Sequence, residues 1–432
     1  MKLVIVGAGA AGARVAQGLV QSSHDVTIVE ARDRIGGRLL TREVEGARWE
    51  AGGEWIDADH TRIFASLREQ GLAPVPVLDR RQIVEFEDGR SETDGDEVPA
   101  AWVDAGLDAQ SVADARDQFL LDLDLPPWHN VLAFDLDQMT LGAWLDRTCQ
   151  TRRGRWLQEA RRRSDEGDAT DQVGLLAWLI GQLTYDERTD QAMSAYRFPE
   201  GAQRWCERMV EASGATVRLK WPVTRIERTG ESFLVYGPDG VLPADRVVLT
   251  APPPALRAIE FDPEISGAKR AAWDELRLSR TVKLALRFRR PPWGADSGSV
   301  LTHRPTQQWW AADSPEHPVL LAYVTGPDAE ALRTCADPIA QFLHEVTEVW
   351  PSARNEFIAG EVHDWIADPH AGGGFACLPP NYVLGSWEDL MRPEAGFHFA
   401  GEACAIRNGF IEGALESAER VLTELGATPN SP

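Results

Sequence analysis

The chain has 432 residues and a strongly acidic composition. Lysine and arginine number 44 against 67 aspartates and glutamates, so the formal net charge is −23 at pH 7. A surface of this charge repels phosphate backbones and anionic lipid headgroups, which argues against a nucleic-acid-binding role. The same field favours cationic ligands, although an acidic surface also simply keeps a globular protein in solution. The length predicts two domains.

The cysteines and the apolar segments bear on the compartment of the protein. The five cysteines are scattered and lack a Cys-x-x-Cys pair, so neither a disulfide framework nor a zinc site is predicted. The histidines and acidic residues show no ligand spacing either, and we expect no metal. The apolar stretch at residues 3–20 has regularly spaced glycines and no cleavage site, unlike a secretory signal. No run of about 18 apolar residues occurs, so we expect a cytoplasmic protein without a membrane span.

The N-terminal pattern predicts a β-α-β unit. Residues 2–6 form an apolar strand, an apolar helix runs to about Val20, and residues 25–30 form a second strand. Residues from about 76 to 200 are rich in Trp and Leu and mostly helical in period. Within them, the charge-dense stretch 151–171 predicts a solvated helix and loop rather than a binding patch.

The second half of the chain alternates between strand and helix patterns. Strands are predicted at 216–227, 232–236 and 245–250, and the proline run at 252–254 ends that segment. Residues 281–288 alternate with period two, which predicts a strand with one apolar and one polar face. Helical spacing returns at 337–350 and at 410–425.

A Gly-x-Gly-x-x-Gly run at residues 7–12 lies between the first strand and the first helix. In that context the glycines let the backbone approach a pyrophosphate, and the helix N-terminus supplies N–H donors. Glu30 ends the second strand, 18 positions after Gly12 (30 − 12). Its carboxylate can accept hydrogen bonds from ribose hydroxyls and would repel a 2′-phosphate, so the sequence predicts an adenosine ribose and not NADP.

Two distant segments resemble one family. Residues 30–38, with a second glycine pair and arginines that can meet phosphate, and residues 41 and 49–56 resemble the flavin-containing amine oxidases. That family covers monoamine, polyamine and L-amino-acid oxidases. Residues 399–403 and 409–420 are similar to its second FAD motif. There Gly401 permits close approach, Glu402 can bind flavin-side hydroxyls, and the last helix can direct its N-terminus at the flavin pyrimidine.

The resemblance implies an α/β fold, in which a Rossmann-like FAD-binding domain carries an inserted α+β substrate-binding domain. We expect the FAD-binding domain to be discontinuous over residues 1–75, 200–264 and 361–428. The substrate-binding domain would comprise 76–199 and 265–360. The cofactor-binding residues that the resemblance implies are Gly7, Gly9, Gly12, Glu30, Arg32, Gly37, Arg38, Gly53, Trp55, Val223, Gly401, Glu402 and Ile411.

Lys283 is the most informative candidate catalytic residue. From the pattern alone, a lysine on the polar face of a strand is ordinarily solvated. Residues 281–288, followed by Pro292-Trp293, nevertheless look like the family segment whose lysine contacts a water near flavin N5. Carried to Lys283, this role is to hold that water and to assist reoxidation by O₂, because a cation stabilises nascent superoxide.

Residues 363–365 and 372–375 resemble the family segment beside the flavin, which implies a place there for Trp365. Phe375 and Phe410 fall where relatives place two aromatic rings around the substrate amine, although either ring can instead be core. Both are Phe where a monoamine oxidase has Tyr, so the cage keeps its π faces and loses its hydroxyls. Gly374 stands at the position of the flavin-linking cysteine of monoamine oxidases, so the FAD should be non-covalent.

The substrate is less defined. Trp55 stands where L-amino-acid oxidases have an arginine for the α-carboxylate, which favours amines over amino acids. Asp57 could hold a distal ammonium or be a solvated loop acid, and Trp309 and Trp310 could line the pocket or be structural. The reaction that the resemblance implies is hydride loss from the carbon next to nitrogen, hydrolysis of the imine to an aldehyde or ketone, and reduction of O₂ to H₂O₂.

Other functions stay open. One is L-amino-acid oxidation, with an arginine elsewhere binding the carboxylate. Another is C–C desaturation of the phytoene desaturase or protoporphyrinogen oxidase type, against which Lys283 speaks. A third is a non-catalytic flavin-binding partner protein. The partners we expect are a small-molecule amine and O₂, without nucleic acid or membrane, and the sequence leaves monomer or homodimer open.

Overall fold

The computed structural model describes residues 1–19, 24–77, 81–95, 97–184, 193–294, 298–312 and 316–427. Its first sheet is parallel and five-stranded, in the order Thr216–Arg218, Asp25–Val29, Lys2–Val6, Arg246–Leu249 and Phe397–Phe399. The central strand is apolar on both faces because both are covered: Leu3 and Ile5 enter one core, and Val4 and Val6 enter another. The predicted β-α-β unit is therefore confirmed.

Three helices pack together beside this sheet. They are Ala10–Gly18, Ala202–Ser213 and Ile411–Glu424, and their inner faces share one core with the sheet. The last helix has the predicted extent, with Phe410 and Leu425 as its caps. The first ends at Gly18, and Val20, where the sequence places its end, lies outside the described residues.

A seven-stranded sheet forms the second layer. Its order is Phe357–Asp364, Thr281–Phe288, Val319–Thr325, Gln308–Ala311, Ser299–Thr302, Arg81–Phe86 and Gly89–Asp94. All eight residues of Thr281–Phe288 are buried, because strands pair with both of its edges and side chains cover both of its faces. A solvated polar face on this strand, as the pattern alone suggests, is therefore wrong. The predicted helix at 337–350 is present as Pro338–Val349 and packs on this sheet.

The segment from 76 to 200 is mostly helical, as predicted. Its longer helices are Val103–Leu120, Leu141–Thr148, Arg152–Glu166 and Leu175–Thr184. The charge-dense stretch is a helix capped by the Thr151 hydroxyl and ended by Gly167 at φ +79°. The two strands Arg81–Phe86 and Gly89–Asp94 were not predicted, although the Asp88-Gly89 pair at their junction is typical of a hairpin.

The predicted strand at 216–227 is in fact two strands. Thr216–Arg218 joins the parallel sheet, whereas Arg225–Thr229 joins a four-stranded sheet with Ser232–Gly237, Gly240–Ala244 and Glu260–Asp262. The loop between them contains Pro222, which cannot donate to a ladder. The proline run begins a helix, Pro253–Arg257, since proline suits the first helical turn.

Shorter elements complete the fold. The helices are Thr61–Glu69, Phe134–Asp137, Gly267–Glu275, Gly326–Thr334, Ala353–Glu356 and Trp387–Met391, with 3₁₀ turns at Pro127–His129, Val131–Ala133 and Glu402–Cys404. The strands are Thr41–Val44, Ala47–Glu50, Trp55–Ile56, Val75–Pro76, Tyr196–Arg197, Arg277–Leu278 and Ala376–Cys377. Across the described part of the chain, no helix combines the length and hydropathy that a bilayer span requires.

Candidate active site

A cavity of about 1270 Å³ extends from the parallel sheet to the seven-stranded sheet. Val6, Val29 and Thr250 line it where parallel strands end, and Lys283 and Tyr323 line it on the other sheet. Pockets for drug-sized ligands span roughly 300–1,000 Å³, so this one has room for a larger ligand and a small molecule together. Its wall includes these predicted site residues: Gly7, Gly9, Glu30, Arg32, Gly37, Arg38, Gly53, Trp55, Val223, Lys283, Trp365, Phe375, Gly401, Glu402, Phe410 and Ile411.

Gly12 does not line the cavity, and its role is in packing. A Cβ there would lie 2.1 Å from the Gly7 carbonyl oxygen, so only glycine lets the first helix sit this close to the turn. Gly7 itself has φ +114°. Gly9 faces the second glycine turn, where a Cβ on Gly37 would lie 3.2 Å from its Cα. The two turns therefore form one open cradle at the N-terminus of the first helix.

Glu30 joins the two glycine turns on the cavity wall. Its Oε2 accepts from the Ala8 amide at 2.8 Å, and its Oε1 accepts from the Arg32 amide at 2.9 Å. Each carboxylate oxygen keeps a further lone pair. This geometry fits the predicted ribose contact, which stays a prediction.

The three arginines of the second segment are held by protein groups. Arg32 pairs with Asp368 at 2.6 Å, and Arg38 donates to Glu402 Oε1 at 2.7 Å, while both line the cavity. Arg34 donates to backbone carbonyls of its own turn and lies outside the lining set. We therefore assign Arg34 to the support of the turn.

The C-terminal segment completes the cradle. Glu402 accepts from the Gly409 amide at 2.9 Å and from the Ala376 amide at 3.2 Å through the oxygen that Arg38 does not use. Its carboxylate thus fixes the loop before the last helix, a contact that the sequence did not reveal. Gly401, at φ +134°, and Ile411 line the cavity beside it.

These residues fit FAD. The two glycine turns, the helix N-terminus and the buried Glu30 suit the adenosine and pyrophosphate, and the last helix directs its N-terminus into the same cavity. A Cβ on Gly374 would lie 2.4 Å from Ser279 Oγ and 2.7 Å from Thr281 Oγ1. The backbone at this position therefore has no space for a flavin-linking side chain.

Lys283 is buried on the cavity wall with all three ammonium protons engaged. Its Nζ donates to the Glu50 and Gly52 carbonyl oxygens at 3.0 Å each and to Glu54 Oε2 at 3.3 Å. It also lies 5.1 Å from the ring centre of Trp310. The structure therefore places Lys283 in the cavity but holds its ammonium with protein acceptors, so a contact with water requires one of them to yield.

Two residues of this wall were missed by sequence reasoning. Both Glu54 oxygens lie 3.2 Å from the donating Trp310 indole nitrogen, and Arg197 Nε lies 3.5 Å from Glu54 Oε1, the oxygen that Lys283 does not use. The Arg197 guanidinium stacks 4.3 Å above the Trp55 ring. Glu54 lies within the motif at 49–56, whereas nothing in the local sequence of Arg197 indicates the site. Of the two predicted tryptophans, Trp310 lines the cavity and Trp309 belongs to a core.

The three predicted aromatic residues lie in the cavity. Phe375 and Phe410 are both half-buried lining residues, so neither is core. The Phe410 ring meets the His60 ring edge-on, with centroids 5.6 Å apart. Trp365 donates its indole N–H to the Ala51 carbonyl at 2.7 Å.

Asp57 is buried and is not a solvated loop acid. One oxygen accepts from the Ser194 amide at 2.6 Å, and the other lies 3.2 Å from His60 Nε2. Burial raises the pKa of Asp57, but His60 and the Ser194 amide outweigh it, so the pKa is lowered overall. Asp57, Asp59 and His60 place potential ligand atoms within 4.8 Å of one another. Because Arg407 pairs with Asp59 at 2.8 Å, we propose no metal there.

Comparisons with known proteins identify a family and relatives of this chain. Residues 11–424 match the family model described as flavin containing amine oxidoreductase. The chain is 27% identical to the putative flavin-containing monoamine oxidase AofH of Mycobacterium tuberculosis, over 98% of this chain and 96% of that one. It is 24% identical to amine oxidase [flavin-containing] A of Equus caballus, over 98% and 84%.

Solved structures share the fold. Putrescine oxidase bound to putrescine superposes with a TM-score of 0.89 at 22% identity, over 99% of both chains. Cyclohexylamine oxidase from Brevibacterium oxydans IH-35A gives the same TM-score and identity, over 98% of this chain and 99% of that one. The chain therefore has the fold of these two amine oxidases. The chain belongs to the flavin-containing amine oxidoreductase family, which confirms the predicted family, fold class, cofactor and amine-oxidising chemistry.

Proposed function

We propose that this enzyme oxidises the C–N bond of a small amine that lacks an α-carboxylate, and passes the electrons to O₂ with release of H₂O₂. The observation that carries this proposal is the charge of the substrate wall. Glu54 and Asp57 line it, and Arg197 is stacked on Trp55 next to the Glu54 carboxylate. Glu54 already contacts both Lys283 and Arg197, so a substrate carboxylate would have to displace Glu54 from one of these cations and would carry the same charge as Glu54 and Asp57.

We propose that Phe375 and Phe410 orient the neutral amine and exclude water from it. Both rings line the cavity, as do Lys283 and Trp365. Gly9, Glu30, Gly37 and Gly401 would hold FAD, which supplies the hydride acceptor when bound. Aromatic faces stabilise positive charge that develops on nitrogen, since the ring quadrupole attracts cations. Lys283 would supply positive charge at the site of electron transfer to O₂.

We further propose non-covalent FAD and a division into two discontinuous bodies, as the sequence predicts. The crowded environment of Gly374 supports the first. The division into two bodies is supported by the sheets, since all strands of the parallel sheet fall within 1–75, 200–264 and 361–428. The strand Phe357–Asp364 crosses the proposed boundary at 361, which therefore moves to the end of that strand.

A cytoplasmic location is also part of the proposal. Its support is that all five cysteines are free thiols, four of them buried, as is usual in a reducing compartment. The homodimer that the sequence left open stays a prediction, and light scattering on the purified holoenzyme tests it.

The deciding experiment compares amines with their α-carboxylated counterparts in a peroxide-coupled assay. Suitable pairs are phenylethylamine with phenylalanine and putrescine with ornithine, assayed on purified FAD-loaded protein. We expect kcat/KM at least about 100-fold higher for the amine, since a buried unpaired carboxylate costs several kcal/mol. Preference for the amino acids would establish the L-amino-acid oxidase alternative. Turnover with an artificial acceptor but without peroxide would refute O₂ as acceptor, and protein unable to take up FAD would refute the whole proposal.

A further inference from the structure

Glu54 is a buried carboxylate that contacts three side chains at once. Its side chain is 3% exposed, and its partners are Lys283 at 3.3 Å, the Trp310 indole at 3.2 Å and Arg197 at 3.5 Å. A buried carboxylate needs such partners, because burying an unpaired charge is costly. The arrangement therefore fixes both cations and the indole relative to one another.

Glu54 is also the charged partner in the set of acceptors around Lys283. The other two acceptors are the Glu50 and Gly52 carbonyl oxygens, which orient the ammonium without neutralising it. An ammonium has three protons, and these three acceptors use them all. Lys283 is consequently held against the backbone of residues 50–52, with its charge offset by Glu54.

The field of this carboxylate extends beyond its direct partners. Burial, followed by the charge of Glu54, raises the pKa of Glu50 to about 7. Glu54, Gly53, Lys283 and Trp365 all line the same cavity. A bound flavin in that cavity would therefore experience the charge of the Glu54–Lys283 pair rather than that of an isolated lysine.

We propose that Glu54 is a positioning residue, which holds Lys283 and Trp310 on the cavity wall and offsets the lysine charge, so that it tunes how readily the flavin accepts electrons. The inference rests on the proposed placement of the flavin beside Lys283. It does not depend on which amine is oxidised.

The test measures the affinity of the FAD-loaded protein for sulfite. Binding is monitored through the loss of the visible flavin absorbance. Sulfite adds a negative charge to the flavin, so its affinity reports the local potential without amine turnover. We expect Glu54→Gln to bind sulfite about tenfold more tightly, because the charge of Lys283 is then unopposed. The flavin midpoint potential should rise in parallel, by about 30 mV for a tenfold change in a two-electron couple. Lys283→Met should shift both quantities in the opposite direction.

The matched control is Glu361→Gln. Glu361 also accepts from a tryptophan indole, that of Trp49 at 3.2 Å, and pairs with Arg42 at 3.3 Å, but it lies outside the cavity lining. This variant should stay within about twofold of the wild type. Sulfite affinity of Glu54→Gln equal to that of the control would overturn the proposal.

The double variant Glu54→Gln/Lys283→Met covers the case in which the single Glu54 variant does not fold. It removes both charges and leaves no unpaired lysine in the interior. We expect it to bind sulfite more tightly than Lys283→Met alone, because the opposing carboxylate is gone. Equal affinities of these two proteins would refute the role of Glu54. Normal sulfite behaviour without amine turnover would instead count against the proposed function alone.

Discussion

Among the described residues, Lys283 and Lys269 are two buried lysines that lie over aromatic rings. A comparison of the two distinguishes a catalytic lysine from a structural one. Lys269 lies 3.7 Å from the Phe399 ring centre and donates to the Leu390 and Arg392 carbonyls, away from the cavity. We expect Lys283→Met to slow flavin reoxidation by O₂ at least about tenfold while FAD stays bound. Lys269→Met should lower the thermal stability and leave reoxidation unchanged. Stopped-flow mixing of reduced enzyme with O₂ measures the reoxidation rate of each variant, and thermal unfolding measures its stability. Equal reoxidation rates in the two variants would contradict the assignment.

Glu50 makes a pH-dependent contribution to the stability of the fold. Burial and then the charge of Glu54 raise its pKa from 4.5 to about 7, against the Thr41 hydrogen bond and Lys283. The native state thus binds this proton more tightly than the unfolded state does. The contribution is complete below the unfolded pKa and is lost as pH rises through about 7.

Glu50→Gln removes this ionisation, because glutamine stays neutral at every pH. The wild type loses the Glu50 contribution between about pH 5 and about pH 8, and the variant does not. We therefore expect the Tm of the variant minus that of the wild type to rise over this pH range. Thermal unfolding of the two FAD-loaded proteins across that range measures the difference. A difference in Tm that does not change with pH would show that Glu50 titrates normally.

Residue roles were predictable from the sequence only where a contiguous motif carries them. Glu30, Lys283 and Phe410 stand in such motifs, and the structure places all three on the cavity wall. Arg197 could not be found in this way. It contacts Glu54 and Trp55 because its strand pairs with that of Trp55, which lies 142 positions earlier in the chain (197 − 55). Burial of Asp57 was likewise invisible, since its partner Ser194 comes from a distant part of the chain.

At the scale of elements, the first helix depends on a glycine that touches no ligand. We expect Gly12→Ala to weaken FAD binding strongly, because its Cβ would lie 2.1 Å from the Gly7 carbonyl oxygen and push the helix off the turn. Gly106 is the control, since it lies within the helix Val103–Leu120 and an added Cβ meets nothing within 4 Å. Gly106→Ala should raise stability by about 0.5–1 kcal/mol and leave FAD affinity unchanged. Titration of the apoproteins with FAD gives the affinities, and tight binding by Gly12→Ala would contradict this account.

Elements were predictable where one local period dominates. The observed first strand, helix Pro338–Val349 and last helix agree with the pattern. The strand is buried on both faces and has a continuous apolar run, whereas each helix buries one face and has apolar residues at helical spacing. The burial of the whole strand Thr281–Phe288 was not predictable, since it follows from neighbours on both edges and both faces. An alternating pattern with Lys283 and Arg287 on one face looks the same in a half-exposed strand.

At the scale of the whole molecule, the cavity lies between the parallel sheet and the seven-stranded sheet. Residues from both sheets line it, from Val6 and Val29 on one side to Lys283 and Tyr323 on the other. A ligand that contacts both walls stabilises the native state in proportion to the logarithm of its concentration over Kd, by about 2.7 kcal/mol at 100 times Kd. We therefore expect removal of FAD to lower Tm by several degrees and excess FAD to restore it in a concentration-dependent way.

FMN distinguishes a dinucleotide site from a general flavin site in the same melting experiment. It lacks the adenosine that the cradle of Gly9, Glu30 and Gly37 would hold, so its contacts are confined to the flavin end of the cavity. We expect FMN to raise Tm much less than FAD at equal concentration, because affinity contributed by the cradle is lost. The Gly12→Ala protein should show the same small shift with both ligands, since its cradle is distorted. Equal stabilisation of the unaltered protein by FMN and FAD would mean that the glycine turns and Glu30 do not bind the cofactor.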